Sequence, residues 1–450
     1  MIKRFLYLNF RIFHVVKRWI KRRFTKAGLL VLVGLVASAV VGLDTHQTLA
    51  YQAFTFLLAL TLTSLACGVL FRARLTAHRK LPRFGTVEKP LSYRIVIENR
   101  MQKGQLGLYF QENLEEVWPS FEEFIGIREP DEKKRNPFDR RMGYHRWLWL
   151  LHRKKMARAK ERSIPDLPPG GEQEVHAQVV PLRRGRLTLT GLTIGRTDPF
   201  GLWKSYKKIP MAQTVLVLPK RYPMPSLPLP GTRKYQPGGV ALASSVGDSE
   251  EFLSLRDYRP GDPLRRIHWK SWAKRGEPIV KEYHDEFFVR HALILDTFQT
   301  TESSEILEEA LSVAASFAYT IQTHESLLDL MFVGAEAYCF TAGRGIAHAD
   351  RMLEILAAVQ ACSDKTFSTL HALVMERASL LSGCICVLLS WDEERRKLIQ
   401  LLKALGLPVL VLVITGDEST QPLDPGPMKS DPKNLHRLQV GKVKEGLAQL

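Results

Sequence analysis

The stretch RDYRPGDPLRRIHWKSWAKRG, Arg256 to Gly276, divides the chain into two parts with different hydrophobic periods. Pro260 presets φ and Gly261 supplies a positive φ, so RPGD reads as a turn. Asp262 then stands as the N-cap of a helix whose first residue is Pro263, where proline costs no hydrogen bond. Gly276 stops that helix as a left-handed cap. The expected helix is Pro263–Arg275, with Leu264, Ile267, Ser271 and Trp272 turned inward and Arg265, Arg266, Trp269, Lys270 and Lys274 on other faces. The acidic run GDSEEF just upstream offers carboxylates for bidentate pairing with these arginines.

Beyond Arg290 the pattern alternates. RHALILD, LLDLMFV, CICVLLS and PVLVLVI are short apolar runs, and amphipathic segments such as SSEILEEALSVAASFAYTIQTH and DEERRKLIQLLKALG separate them. Apolar strands between amphipathic helices describe a parallel sheet covered on both faces, an α/β domain over 290–450. Upstream, LSYRIVIENR, EVHAQVV, GRLTLTGLTIG and QTVLVLP alternate with period two between Gly, Pro and Asn, which predicts a β-sandwich over 83–218. A basic, Trp-rich insertion at 128–160 interrupts it. A Pro/Gly-rich linker at 219–246 and the signature segment at 247–289 complete the division.

The N-terminal residues read differently. Ala27–Leu43 and Leu49–Phe71 are apolar and uncharged, and only DTHQT and its neighbours separate them, so 27–71 reads as a helical hairpin with two spans. Cations precede the first span and follow the second, and the connection has none. The positive-inside rule then places both termini in the cytoplasm, at the inner membrane. Residues 1–26 are basic, with Phe5, Leu6, Phe10, Phe13, Val16 and Ile20 near helical spacing. They suit either an amphipathic helix on anionic lipid or a plain topogenic flank.

The formal net charge of +18 over 450 residues is regional. Cations concentrate before residue 83 and between Arg128 and Lys160, which argues against a broad nucleic-acid surface. In the insertion, Trp147, Leu148, Trp149, Leu150 and Leu151 sit between cation clusters. That mixture fits a short helix packed on the sandwich, a lipid surface or, least well, single-stranded nucleic acid. The five cysteines are scattered and form no C-x-x-C pair, so a disulfide framework is not expected.

GDSEEFLSLRDYRPGDPLRRIHWKSWAKRG resembles the signature of the bacterial family known as domain of unknown function 58, and RTDPFGLW, with Asp198, Pro199, Phe200 and Gly201, is similar to that family's upstream turn. The resemblance implies a C-terminal fold like a von Willebrand factor A domain. It implies as partners a MoxR-type AAA+ ATPase and a transglutaminase-like membrane protein. It supplies no reaction. The signature residues it marks are Arg256, Asp257, Tyr258, Pro260, Gly261, Asp262, Arg265, Arg266, His268, Trp269 and Lys270.

A-domain metal sites use carboxylate and hydroxyl oxygens that suit a hard cation such as Mg²⁺. Here Asp296, Thr300 and Asp392 remain, while Phe298 replaces a ligating serine, so any divalent site is degenerate. No P-loop, H-E-x-x-H, G-x-S-x-G or dinucleotide motif is present, and no cofactor is expected. The expectation is a membrane-anchored, cytoplasm-facing adaptor that is not an enzyme, with the signature fastening the sandwich and linker to the α/β domain. The alternatives are a membrane-bound hydrolase centred on Asp262 and His268, and lipid or nucleic-acid binding by the insertion.

Overall fold

The computed structural model describes residues 2–41, 48–225, 234–235, 252–260, 262, 264, 267–283, 287–299, 304–321, 326–342, 346–416 and 423–450. The chain forms two compact units, Met1–Leu218 and Pro219–Leu450.

The first unit begins with three helices, α1 (Ile2–Arg23), α2 (Lys26–Val41) and α3 (Thr48–Val69). Residues Leu49–Val69 of α3 are long and apolar enough to cross a membrane, whereas α2 is apolar but shorter. Next come β1 (Leu75–Lys80), β2 (Phe84–Thr86), β3 (Leu91–Asn99) and β4 (Leu108–Leu114). Three short helices follow, α4 (Phe121–Gly126), α5 (Pro137–Met142) and α6 (Tyr144–Lys154). The unit closes with β5 (Ala157–Ala159), β6 (Arg162–Ser163), β7 (Glu172–Pro181), β8 (Gly185–Thr197) and β9 (Lys204–Leu218).

The strands make two sheets, ordered β1-β3-β7-β5 and β2-β9-β8-β4-β6. Period-two alternation explains the packing: Tyr93, Ile95 and Ile97 of β3 face Leu187, Leu189 and Leu192 of β8 in one shared core. The sandwich starts at Leu75, ahead of the expected residue 83. LTAHRK reads as a cationic flank, but its burial alternates and Arg79 lies in the core beside Glu112, with Nη1 3.3 Å from a carboxylate oxygen.

In the second unit the linker is not wholly free. The Tyr222 amide donates to Ser316 Oγ (2.8 Å), and its hydroxyl to Glu309 (2.6 Å). Most of 219–246 lies outside the described residues, apart from the short strand β10 (Lys234–Tyr235). The signature contributes β11 (Phe252–Asp257), α7 (Trp269–Arg275) and β12 (Ile279–Tyr283). The remaining elements are β13 (Phe287–Leu295), α8 (Glu305–Ile321), β14 (Ser326–Val333), β15 (Ala337–Ala342), α9 (Ile346–Ala358) and α10 (Phe367–Arg377). They continue with β16 (Gly383–Leu388), α11 (Glu393–Ala404), β17 (Val409–Thr415), β18 (Leu435–Gln439) and α12 (Val443–Leu447).

The main sheet runs β15-β14-β13-β16-β17-β18, parallel except for β15, and β10 pairs with β13. The unit is therefore α/β. Apolar strands such as β16 and β17 are buried along almost their whole length because helices cover both faces. The half-polar edge strand β18 carries no such run.

His291 on β13 is buried, and burial alone lowers its pKa from 6.5 to about 4. A depressed folded pKa means that stability is present above 6.5 and is lost as pH falls toward 4. His291→Leu should therefore flatten the acid limb of a pH–stability curve relative to the native chain, measured by thermal unfolding in detergent. An unchanged acid limb would contradict a neutral buried imidazole.

Candidate functional site

The strand order reverses around β13, whose neighbours β14 and β16 lie on opposite sides. In open α/β sheets the crevice at the carboxyl ends of such strands is where ligands bind. Here Asp296, one residue beyond β13, occupies that crevice and is fully buried. Its Oδ1 accepts from the Phe298 amide (3.0 Å) and its Oδ2 from the Leu389 amide (3.1 Å). Arg395, on the first turn of α11, completes the shell: Nε lies 3.0 Å from Oδ2 and Nη2 3.3 Å from Oδ1. The same guanidinium reaches Asp392 Oδ2 through Nη1 (2.6 Å). Asp392 caps α11 by accepting from the Arg395 amide (3.1 Å).

The two acids expected at a metal site are thus brought to one place, and an arginine joins them. Thr300 lies outside the described residues. Among the described residues, Asp296 does not fit a divalent cation, because both its oxygens already face N–H donors and the Arg395 guanidinium supplies the positive charge. Aromatic rings close the crevice. The Arg395 guanidinium lies 4.4 Å from the Phe367 centroid, and Phe298 meets Phe367 edge-on at 5.5 Å. Burial pushes the Asp296 carboxyl up, against the pull of Arg395; at Arg395 burial pulls downward, and the two carboxylates outweigh it and raise the guanidinium above its ordinary value.

The signature folds differently from its expected helix. Asp262 does not cap α7. Its carboxylate takes Arg256 in a bidentate pair (2.7 and 2.8 Å) and the Arg259 amide (2.8 Å). The Arg256 guanidinium, helped by that amide, holds the Asp262 carboxyl down to about 2. With the carboxylate committed to the turn, Ile267 bridges to Val280 and the His268 amide donates to Ile279 O (2.8 Å). Among the described residues of the signature the α-helix covers Trp269–Arg275, and Gly276 ends it at φ 79°. Leu264, expected inward, is exposed, whereas Ile267 is buried.

Tyr258 donates its amide to Pro278 O (2.9 Å), Pro260 lies in the turn and Asp257 is exposed. Trp269 is also exposed and stacks on Trp272 at 5.2 Å, next to exposed Lys270. Gly261, Arg265 and Arg266 lie outside the described residues, as does GDSEE. His268 Nδ1 pairs with Ser271 Oγ (2.6 Å), and among the described residues no hydrogen bond links His268 to Asp262.

In the first unit, the Asp198–Gly201 turn joins β8 to β9. The Asp198 carboxylate accepts from the amides of Phe200 (3.0 Å), Leu202 (2.7 Å) and Trp203 (2.6 Å), while Gly201 takes φ 71°. Aspartate first, proline second and glycine last is a type I turn sequence. The turn grips the start of α2 and the end of α3. Thr25 donates its amide to Leu202 O (3.0 Å) and its hydroxyl to Gly201 O, and Ser205 Oγ donates to Gly68 O (2.8 Å). A Cβ at Gly28 would run into the Leu202 carbonyl, and one at Gly68 would stand 2.6 Å from the Trp203 ring. Trp203 packs edge-on against Phe24 at 4.8 Å.

Residues 254–440 match the family described as "Protein of unknown function DUF58". The match falls within the second unit. The uncharacterized protein YeaD of Bacillus subtilis (strain 168) is 30% identical over 126 residues, 28% of this chain and 31% of that protein. The alignment thus spans about a third of that relative's length. Solved structures align at low similarity. A CARDB domain from Pyrococcus furiosus is 12% identical, covers 32% of this chain and 93% of its own, and has a TM-score of 0.16. A beta-glucosidase from Listeria innocua is 12% identical over 32% of this chain and 16% of its own, with a TM-score of 0.18.

Within the DUF58 domain, sequence reasoning missed Arg395. DEERRKL looks like a solvated first turn, and only its spacing of three from Asp392 hinted that it folds back. It also missed the task of Asp198, which lies outside the matched region. Asp198→Ala should cost about 1–3 kcal/mol by orphaning buried amides. It should also expose the α2 start to trypsin at Lys26, scored by limited proteolysis of the detergent-solubilised chain. Unchanged cleavage would mean that the turn does not hold the helices.

Proposed function

We propose that this protein is a membrane-tethered adaptor whose DUF58 domain binds protein as a von Willebrand factor A-like module, without metal and without chemistry of its own. The observation that carries this reading is the Arg395 guanidinium standing between Asp296 and Asp392 in the sheet crevice. A ligand-metal site needs open oxygens there, and here the crevice is closed by a permanent cation. The strand order around β13, with only β15 antiparallel within that order, favours the A-domain comparison.

In this reading α2 and α3 are two spans of a hairpin, both termini are cytoplasmic at the inner membrane, and the Asp198 turn holds the hairpin against the sandwich. Support for the orientation comes from the cations on both flanks and their absence from the connection. The partner class, a MoxR-type AAA+ ATPase with a transglutaminase-like membrane protein, comes from the family resemblance. Exposed Trp269 is suited to a protein contact, since tryptophan is enriched among binding hot spots.

Affinity purification of the detergent-solubilised chain should bring down an AAA+ ATPase. The melting temperature of the purified chain should be the same in chelator and in millimolar Mg²⁺. Absence of the ATPase would overturn the partner, and a Mg²⁺-dependent rise in melting temperature would overturn the metal-free reading.

A further inference from the structure

Helix α1 has two apolar faces. One packs on the insertion through Leu6, Tyr7 and Phe10, which join Phe124, Trp147 and Leu150 in a single cluster. On the opposite face Ile2, Phe5, Leu8, Ile12, Val15 and Trp19 follow at steps of three and four residues, so they form one stripe. All six are exposed, Phe5 by 67% and Ile12 by 61%. Arg4, Arg11, Arg18 and Arg22 follow at steps of seven, seven and four along one border of that stripe. Arg18 also pairs with Glu116, and the Arg11 guanidinium lies 5.9 Å from the Trp118 ring.

A helix on a water-facing surface turns polar residues away from the body it packs on. α1 turns a second hydrophobic stripe away, and a contiguous exposed stripe marks a contact surface. Its place in the chain says what covers it. α1 ends at Arg23, the apolar helix α2 begins at Lys26, and the Asp198 turn grips the residues between and just beyond them. The aromatic cluster Trp19, Phe24 and Trp203 sits at this junction, with the Arg23 guanidinium 4.2 Å from the Tyr206 ring. Indole and cation together are the composition of a membrane–water boundary.

We propose that α1 lies in the headgroup–acyl boundary of an anionic bilayer. Its outward stripe enters the acyl region, the arginine row lies at phosphate level, and its inward face carries the insertion. Arginine stems lie along apolar surface while their guanidinium groups reach lipid phosphates. The cationic insertion then touches the bilayer through α1, and its own Trp147 stays inside the protein. This rests on the reading that α2 and α3 sit in the membrane.

The test places nitroxide labels at Phe5→Cys and Ile12→Cys, which leave the packed face intact, at Lys17→Cys as a water reference and at Phe56→Cys in α3 as a lipid reference. The full chain is reconstituted in nanodiscs of roughly two parts phosphatidylcholine to one part phosphatidylglycerol, which supplies the negative surface. The labelled parent chain is the blank for its native cysteines. At Phe5 and Ile12, collisions are expected to shift from a water-soluble nickel chelate to oxygen, as at Phe56 and unlike Lys17. Chelate access at Phe5 and Ile12 with oxygen preference at Phe56 would overturn the proposal. Loss of collisions with both reagents at Phe5 and Ile12 would also overturn it, showing that a protein surface, such as a second copy, covers the stripe. Chelate access at Phe56 would instead sink the membrane reading itself.

Discussion

Arg395→Met is expected to destabilise the DUF58 domain by about 3–5 kcal/mol, the cost of leaving a buried charge without its partner. Asp296 is fully buried at the end of β13, and its two amide donors remain in the variant while the guanidinium is lost. The sign of the pH dependence identifies the cause. Burial already pushes the Asp296 carboxyl up, and Arg395 opposes that shift. Without Arg395 the folded pKa rises further above the unfolded one. Such a group contributes stability that is present below its unfolded pKa and is lost as pH rises through its folded pKa.

The variant should therefore be weakest at neutral pH and should approach the native chain on acidification. Thermal unfolding of the full chain in detergent across that range is the measurement. Asp296→Asn in the same variant should return much of the loss, because the two side chains form one coupled pair. A deficit independent of pH, and untouched by Asp296→Asn, would show that Arg395 acts through packing on Phe367.

Where period and burial agree, the sequence was legible. The strands β13, β14, β16 and β17 and the helices between them follow from apolar runs alternating with amphipathic stripes, since a sheet covered on both faces needs both. What escaped the pattern was polar chemistry inside that pattern. Arg290 and His291 interrupt an otherwise apolar strand, yet Arg290 is buried and holds Asp329 through Nε at 2.8 Å and Nη2 at 3.1 Å. This strand thus carries a buried arginine and is followed at once by a buried aspartate, each satisfied by an element distant in sequence. Periodicity carries no information about such partners. The same limit explains α7. A cap at Asp262 was sound local chemistry, but Arg256, six residues upstream, takes the carboxylate first. For β1 the hidden signal was register, since Arg79 is a core residue in a run that looks like a membrane flank.

The insertion shows how one composition admits several environments, and Trp147 takes the packed one. Its indole is fully buried, meets Tyr7 edge-on at 5.2 Å and lies parallel to Trp118 at 6.3 Å. Neighbouring cations are engaged internally: Lys154 holds Glu123 at 2.6 Å, Arg135 holds Glu129 at 2.8 Å, and Arg146 pairs with Glu132. Trp147→Ala is therefore expected to cost about 3–5 kcal/mol, the range for emptying a buried aromatic site. The cost should fall on the contact between α1 and the insertion, because the side chain joins Tyr7 and Phe10 to α4 and α6. Trypsin should then cut faster at the cations of α1 while the sandwich core, which shares none of these residues, keeps its resistance. Trp147→Phe separates ring packing from the indole N–H. Nε1 has no hydrogen-bond partner among the described residues, so the phenyl ring keeps an edge-on contact and removes an unsatisfied donor. That variant should retain most of the protection of α1. Equal protection in the alanine variant would place the indole outside this cluster, and a collapse of both regions together would make the insertion part of the sandwich core.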